Sequence, residues 1–343
     1  MRRELAAALA FGLAGLWIVG CGTAGRAQRS VLAEPYLTPR ENLRPIERPA
    51  GEPLRVLATT SILGDVVGQV GGEAISLTTL IPAGVDPHAF QPTPREARLL
   101  AEADVIFING FGLEEFMADL IEQAGGDAVV VSASLGIPPL AAPGEHQEEQ
   151  AEPEGAAEQA GADPQQHAVD PHTWFDPNNV IHWTENIQAA LAATDPERAQ
   201  EYAANAVAYR AQLQALDSEI RESVERLPQE RRVLVTDHEE LGYFAEEYGF
   251  EIGGTVLTSS SSLAEPSAQE MAALFDRIRA QGVPAIFVTS VANPALAQRL
   301  AEDAGVRLVT LQGHSLTDDQ GAAPSYLDLM RYNVRAIVEA LAP

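Results

Sequence analysis

Asp104-Val105-Ile106-Phe107-Ile108-Asn109 is an unbroken apolar run between two polar residues. It is too short for a typical helix and lacks the alternation of a half-exposed strand, so it predicts a strand buried on both faces. Upstream, Leu54-Arg55-Val56-Leu57-Ala58-Thr59-Thr60 predicts a first strand, positions 62–70 a helix, 76–81 a second strand and 94–103 a short helix. Downstream, the pattern predicts a helix over 114–124 and a strand over 128–132. Strands separated by helices imply a parallel sheet, because each crossover returns the chain to the same end. After Pro228 the alternation restarts, with strands predicted at 232–236, 251–257, 285–289 and 307–311. The intervening helices fall at 241–248, 267–281, 294–305 and 326–341. Both halves are therefore α/β, with similar element order and no short repeat.

Between the halves, positions 178–193 have helical spacing, and Asp195-Pro196 has the form of an N-cap followed by proline at the first helical position. The second helix is expected over 196–227, a length of about 45 Å at about 1.5 Å per residue, enough to join two lobes. Residues 141–170 break the pattern: they are rich in Ala, Gly, Glu, Gln and Pro, contain no Arg, and carry His146 and His167. They read as a long acidic loop. The expected organisation is a signal segment at 1–21, a flexible stalk at 22–53, an N-terminal lobe at 54–195, the linking helix at 196–227 and a C-terminal lobe at 228–343.

The signal reading rests on Met1-Arg2-Arg3 followed by an apolar run of about fifteen residues, short for a membrane span. The run ends in Ile18-Val19-Gly20-Cys21, and Cys21 is the only cysteine of the chain, so no internal disulfide can form. Small or apolar residues before a lone Cys are the pattern of a bacterial lipoprotein signal. Lipid attachment at Cys21 would leave the protein outside the cytoplasm, anchored to the cell membrane rather than spanning it.

Among the 343 residues, 46% are hydrophobic and 21% charged, an ordinary globular composition. The 49 acidic residues face 22 basic ones, all arginine, for a net charge of −27. This balance argues against nucleic-acid binding, since phosphates would be repelled, and cations are the natural partners.

Four of the seven histidines, His88, His172, His238 and His314, fall just after predicted strands or where a loop enters a helix. Open parallel sheets place their ligands at such points. The tripeptide Asp-Pro-His occurs twice, at Asp86-Pro87-His88 and at Asp170-Pro171-His172. Its proline restrains the backbone before the imidazole, and its aspartate can hold a ring nitrogen. Any one of these histidines alone fits a surface or core role better than a metal. Two in each half make metal binding the stronger reading, although the spacing contains no HExxH or CxxC motif. His182, within a predicted helix, reads as structural.

Longer motifs carry the reading further. Pro82-Ala83-Gly84-Val85-Asp86-Pro87-His88-Ala89-Phe90-Gln91-Pro92-Thr93-Pro94, together with Asp170-Pro171-His172-Thr173-Trp174-Phe175-Asp176-Pro177, is similar to the signatures of the metal-binding solute receptors of bacterial zinc and manganese ABC importers. Thr236-Asp237-His238 with Tyr243-Phe244, then Glu265-Pro266-Ser267 and Ser325-Tyr326 with Asn333, extend the resemblance from about Leu54 to the C-terminus. It implies two α/β lobes joined by a rigid long helix, with one metal in the cleft between them. Carried over by position, the ligands would be His88, His172, His238 and His314. His314 is aligned by counting back from Ser325-Tyr326 and stands where relatives commonly have Asp. Thr289 stands where relatives often have Glu. In manganese-type relatives, Glu is typical at the position of His238.

Imidazoles favour Zn²⁺, whereas Mn²⁺ prefers more carboxylate oxygen. The expectation is thus a monomeric, non-enzymatic receptor that captures Zn²⁺ as transported cargo and passes it to an ABC permease in the cytoplasmic membrane. Uptake should weaken as pH falls through the ordinary histidine range, about 6.5. Manganese or iron import by the same fold is the near alternative. A surface-anchored zinc hydrolase is the alternative from another class, with Asp237 or Glu240 as a generic base. The acidic loop with His146 and His167 is either a solvated linker or a collector of weakly held Zn²⁺.

Overall fold

The computed structural model describes residues 36–114, 116–141, 169–257, 267–289 and 295–343. Cys21 and the signal segment, His146, His167 and Glu265-Pro266 lie outside the described residues.

The N-terminal sheet is formed by β1 (Leu54–Ala58), β2 (Ile75–Thr79), β3 (Val105–Ile108) and β4 (Val129–Ser132), in the order β2-β1-β3-β4. Every pairing is parallel, for example Val56 opposite Leu77 and opposite Val105. All four residues of β3 are buried, as its apolar run requires. The helices are α1 (Ser61–Gly71), α2 (Pro94–Glu102) and α3 (Met117–Ala124). Thr60 caps α1 by accepting from the Leu63 amide. Thr93 and Glu96 form a reciprocal capping box on α2, with Pro94 at its first position.

The C-terminal sheet repeats the plan. It contains β5 (Val233–Thr236), β6 (Glu251–Thr255), β7 (Ala285–Thr289) and β8 (Arg307–Leu311), in the order β6-β5-β7-β8, again all parallel. Its helices are α6 (Gly242–Tyr248), α7 (Ala268–Gln281), α8 (Ala295–Ala304) and α9 (Tyr326–Leu341). Between the lobes run α4 (Pro177–Thr194) and the long α5 (Ala199–Val224). On α5, Tyr202, Ala206, Tyr209, Leu213, Leu216, Ile220 and Val224 form one buried stripe at spacings of three and four. The stripe meets α1 of the first lobe and α9 of the second, so one rigid helix serves both. The expected fold, two parallel α/β lobes joined by a long helix, is the fold observed.

Two local expectations are corrected. The linking helix begins at Ala199, after a 3-10 turn over Pro196–Arg198, and ends at Val224. Asp195 does not cap it. Its carboxylate instead pairs with Arg48 at 2.6 Å and accepts from the Tyr202 hydroxyl at 2.8 Å. Residues 36–53, expected to be stalk, lie against the first lobe. The Thr38 amide donates to the Val130 carbonyl at 2.8 Å, Ile46 to that of Thr194 at 2.9 Å, and Leu43 joins the core. This segment has no helical or strand period because it adds as an irregular strap, and periodicity does not reveal packing of that kind.

Candidate metal centre

The four histidines selected from sequence leave the carboxyl ends of parallel strands in both sheets. His88 sits in a 3-10 turn beyond β2, His172 follows the long excursion after β4, His238 lies two residues beyond β5, and His314 three beyond β8. The structure brings all four rings to one point. Their six centroid separations run from 4.8 Å for His238–His314 to 6.0 Å for His88–His238. Each lobe contributes a close pair: Nε2 atoms are 3.1 Å apart in His88–His172 and 3.0 Å apart in His238–His314. One nitrogen from each ring falls within a mutual 4.8 Å. Tetrahedral donors at about 2.0–2.1 Å from Zn²⁺ stand roughly 3.3 Å from one another, so the set is the right size for one ion.

The repeated Asp-Pro-His tripeptide does the same backbone work twice and different side-chain work. Asp86 Oδ1 and Asp170 Oδ1 each accept from the amide of the histidine two residues on, both at 2.9 Å. Asp170 Oδ1 also accepts from its own histidine's ring, at 2.7 Å from His172 Nδ1. Asp86 Oδ1 instead lies 3.9 Å from the Nδ1 of His314, in the opposite lobe. His238 Nδ1 donates to Asp237 Oδ1 at 3.1 Å. With Nδ1 protonated in this way, the Nε2 lone pairs of His172 and His238 face the centre.

Burial sets the charge state. His172, His238 and His314 are 0%, 0% and 2% exposed. Loss of solvation pulls His88 down to about 4 and holds His172 and His314 well below the usual imidazole range. His88, His172 and His314 are therefore neutral near pH 7, the form that coordinates a cation. Burial pushes Asp170 the other way, up to about 8, and Glu240 well above the carboxylate range.

Thr289 finds an explanation in Asp237: its amide and hydroxyl both donate to Asp237 Oδ2 at 3.1 Å, which fixes the carboxylate that orients His238. The His182 side chain is 54% exposed, 3.9 Å from Glu185, and belongs to no metal-sized group among the described residues. Sequence reasoning named Glu240 only as a generic base of the hydrolase alternative and not as a residue of the metal centre. Its carboxyl is buried, with Oε2 at 3.5 Å from His314 Nε2 and 3.8 Å from His238 Nε2. Only its closeness to His238 in sequence could have pointed to it.

Two parallel lobes with four imidazoles converging at the facing strand ends define a ligand receptor with a metal-sized site. The pattern of the family described as zinc-uptake complex component A, periplasmic, matches residues 56–340, and the chain belongs to that family. It is 32% identical over 297 residues to the manganese-binding lipoprotein MntA of Halalkalibacterium halodurans, covering 85% of this chain and 90% of that protein. The fold matches the periplasmic zinc-binding protein TroA of Treponema pallidum with a TM-score of 0.73 at 28% identity, over 85% of this chain and all (100%) of that one. It also matches the Mn-bound periplasmic metal-binding protein of Candidatus Liberibacter asiaticus with a TM-score of 0.71 at 27% identity, over 84% and 99% of the two chains. The chain is thus a member of the metal-binding, substrate-binding receptors of ABC transporters, a family of transport proteins rather than enzymes. Among the described residues, no helix is long and apolar enough to cross a membrane.

Proposed function

We propose that this chain is an extracytoplasmic Zn²⁺ receptor, tethered through lipid on Cys21, that captures the ion between its lobes and delivers it to an ABC permease. The ligands are His88, His172, His238 and His314, and the carrying observation is the convergence of their rings, two from each lobe, with Nε2 pairs at 3.1 and 3.0 Å. Imidazole donors favour Zn²⁺ over Mn²⁺. Relatives that bear manganese in their names make that ion the second reading.

Entry exchanges the water ligands of the ion for imidazoles of both lobes, so occupancy couples to lobe position. Release follows when the permease favours a state in which one lobe's pair is withdrawn. Four protein donors leave no ordinary open position for a catalytic water, which argues against the hydrolase reading.

Metal analysis of protein purified without added metal, followed by calorimetry with Zn²⁺, Mn²⁺ and Fe²⁺, tests the proposal. One tight Zn²⁺ per chain is expected, with His172→Ala and His238→Ala each weakening it by orders of magnitude. Unchanged titrations in both variants would overturn the assignment. Deleting residues 143–168 and following uptake at limiting zinc separates a collecting role of the acidic loop from a plain linker.

A further inference from the structure

Among the described residues, Glu240 is the carboxyl at the centre that the four-imidazole reading does not use. Its residue exposure is 1%, and neither carboxyl oxygen has a hydrogen-bond partner. Among the described residues, the charged groups that act on it most are the acids Asp237, Asp170 and Asp86, and the His238 and His314 rings stand beside it. An ionised carboxyl in that position is costly, since burial strips its solvation and the carboxyl beside it, Asp237, is an acid as well. Leucine of similar size would fill the space at no such cost.

A Cβ built on Gly313, the residue before His314, would stand 2.3 Å from Thr289 Cγ2 and 2.8 Å from Glu240 Oε2, so the glycine lets both side chains approach. Oε2 faces the metal-side nitrogens of both C-terminal-lobe histidines, at 3.5 and 3.8 Å. Donors about 2.1–2.2 Å from one ion are roughly 3.0 Å apart at a right angle and 3.7 Å apart at 120°. These separations therefore suit a shared first coordination sphere better than a hydrogen bond. Asp237, His238 and Glu240 also form a metal-sized group of their own, with His238 common to both groups.

From this geometry, and resting on the receptor reading above, we infer that Glu240 is a fifth donor to the transported ion, which turns a four-nitrogen cage into a four-nitrogen, one-oxygen site. The added oxygen comes from the C-terminal lobe, so that lobe supplies three donors against two from the other. It widens the range of ions held: Mn²⁺ gains the carboxylate it prefers, while Zn²⁺ is already satisfied by four imidazoles.

The test uses the full chain loaded with Co²⁺, Zn²⁺ or Mn²⁺, with Glu240→Leu and Glu240→Gln as variants. Wild-type Co²⁺ protein should give the weak visible bands of five-coordination, and X-ray absorption of the Zn²⁺ form should give five light-atom neighbours, a measurement that needs no variant. In Glu240→Leu the bands should become the intense ones of tetrahedral Co²⁺. Mn²⁺ affinity should fall by about tenfold or more, and Zn²⁺ affinity by less than about threefold. The metal-free Glu240→Leu protein should melt no lower than wild type. A tetrahedral wild-type spectrum, or Mn²⁺ and Zn²⁺ affinities that fall equally in both variants, would overturn the inference. Neither result touches the receptor reading, which fails only if wild type takes up no ion or keeps it after His172→Ala.

Discussion

Trp174 Nε1 donates to the Gly313 carbonyl oxygen at 3.0 Å. The residue two beyond His172 is thereby bonded, across the lobes, to the residue just before His314. The indole also stands edge-on to both rings, with centroids 5.2 Å from His172 and 6.3 Å from His314. Ser315, on the other side of His314, accepts from the Gly84 amide at 2.6 Å, in the loop that leads to His88. His314 is held on both sides by the opposite lobe. Trp174→Phe keeps the ring and removes the donor, so metal affinity should fall by about tenfold, the cost of leaving one buried carbonyl unpaired. Because Trp174 is the indole at the site, metal should change the tryptophan fluorescence of wild type and leave Trp174→Phe unchanged. An equal response in both would refute the coupling.

Proton competition should come from the Asp170 carboxyl rather than from His88, His172 or His314. The sequence alone places the loss of metal near pH 6.5, the ordinary histidine value. Burial lowers His88 to about 4, with His172 and His314 also well below their usual range, so these rings stay neutral as pH falls through 6.5. Asp170, raised to about 8 by burial, must give up its proton to accept fully from His172 Nδ1 when the ion arrives. A raised acid that is deprotonated on binding makes affinity climb with pH up to that value, by at most about tenfold per pH unit. Titrations from pH 5.5 to 8 should therefore show a rising affinity and proton release, and Asp170→Asn should flatten the slope while weakening binding overall. A wild-type profile flat above pH 7 would count against this account.

Two glycines separate space from conformation. Gly242 opens α6, and a Cβ there would stand 2.6 Å from Asp170 Oδ2, in the carboxylate that orients His172. Gly242→Ala should cost about 1–3 kcal/mol in urea unfolding and weaken metal binding by roughly tenfold or more through the displaced aspartate. Gly68 lies inside α1, where a Cβ would make only an ordinary 3.5 Å contact with Leu77. Gly68→Ala should stabilise by about 0.4–1 kcal/mol, because it narrows the unfolded ensemble, and leave metal affinity as it was.

Much of this organisation was legible in sequence because it is written in short-range patterns. The apolar run of β3, the short helix after Thr93 and the helical spacing of α4 each follow from residues close together in the chain. The four histidines could be chosen because each stands at a strand end or loop junction, and their convergence is a consequence of topology. What could not be read depends on distant partners. Asp195 looks like a helix cap until Arg48 and Tyr202 are seen beside it. Thr289 has no evident task until Asp237 is placed opposite. Glu240 gains its meaning only when β8 brings His314 alongside.

The Arg48–Asp195 pair gives a stability test well separated from the metal. Asp195 is 1% exposed and is held by the Arg48 guanidinium at 2.6 Å and the Tyr202 hydroxyl at 2.8 Å. The hydrogen bond to Asp195 raises Arg48 above its ordinary value, so the guanidinium stays charged across the usable pH range. Arg48→Ala removes the cation and leaves a buried carboxylate with only a hydroxyl donor and the more distant Arg198, whose Nε is 3.9 Å away. Breaking a buried pair from one side costs about 3–5 kcal/mol, and the partial exposure of Arg48 places the expected loss at the low end. The strap over 36–53 would also lose its anchor to the start of the linking helix, so Arg48→Ala should loosen protection of the Ile46 amide in hydrogen exchange. Metal affinity should stay within about threefold of wild type, since no residue of this network contacts the histidines. If the strap contributes nothing to folding, the urea midpoint of Arg48→Ala will match wild type, and the segment is a tether after all.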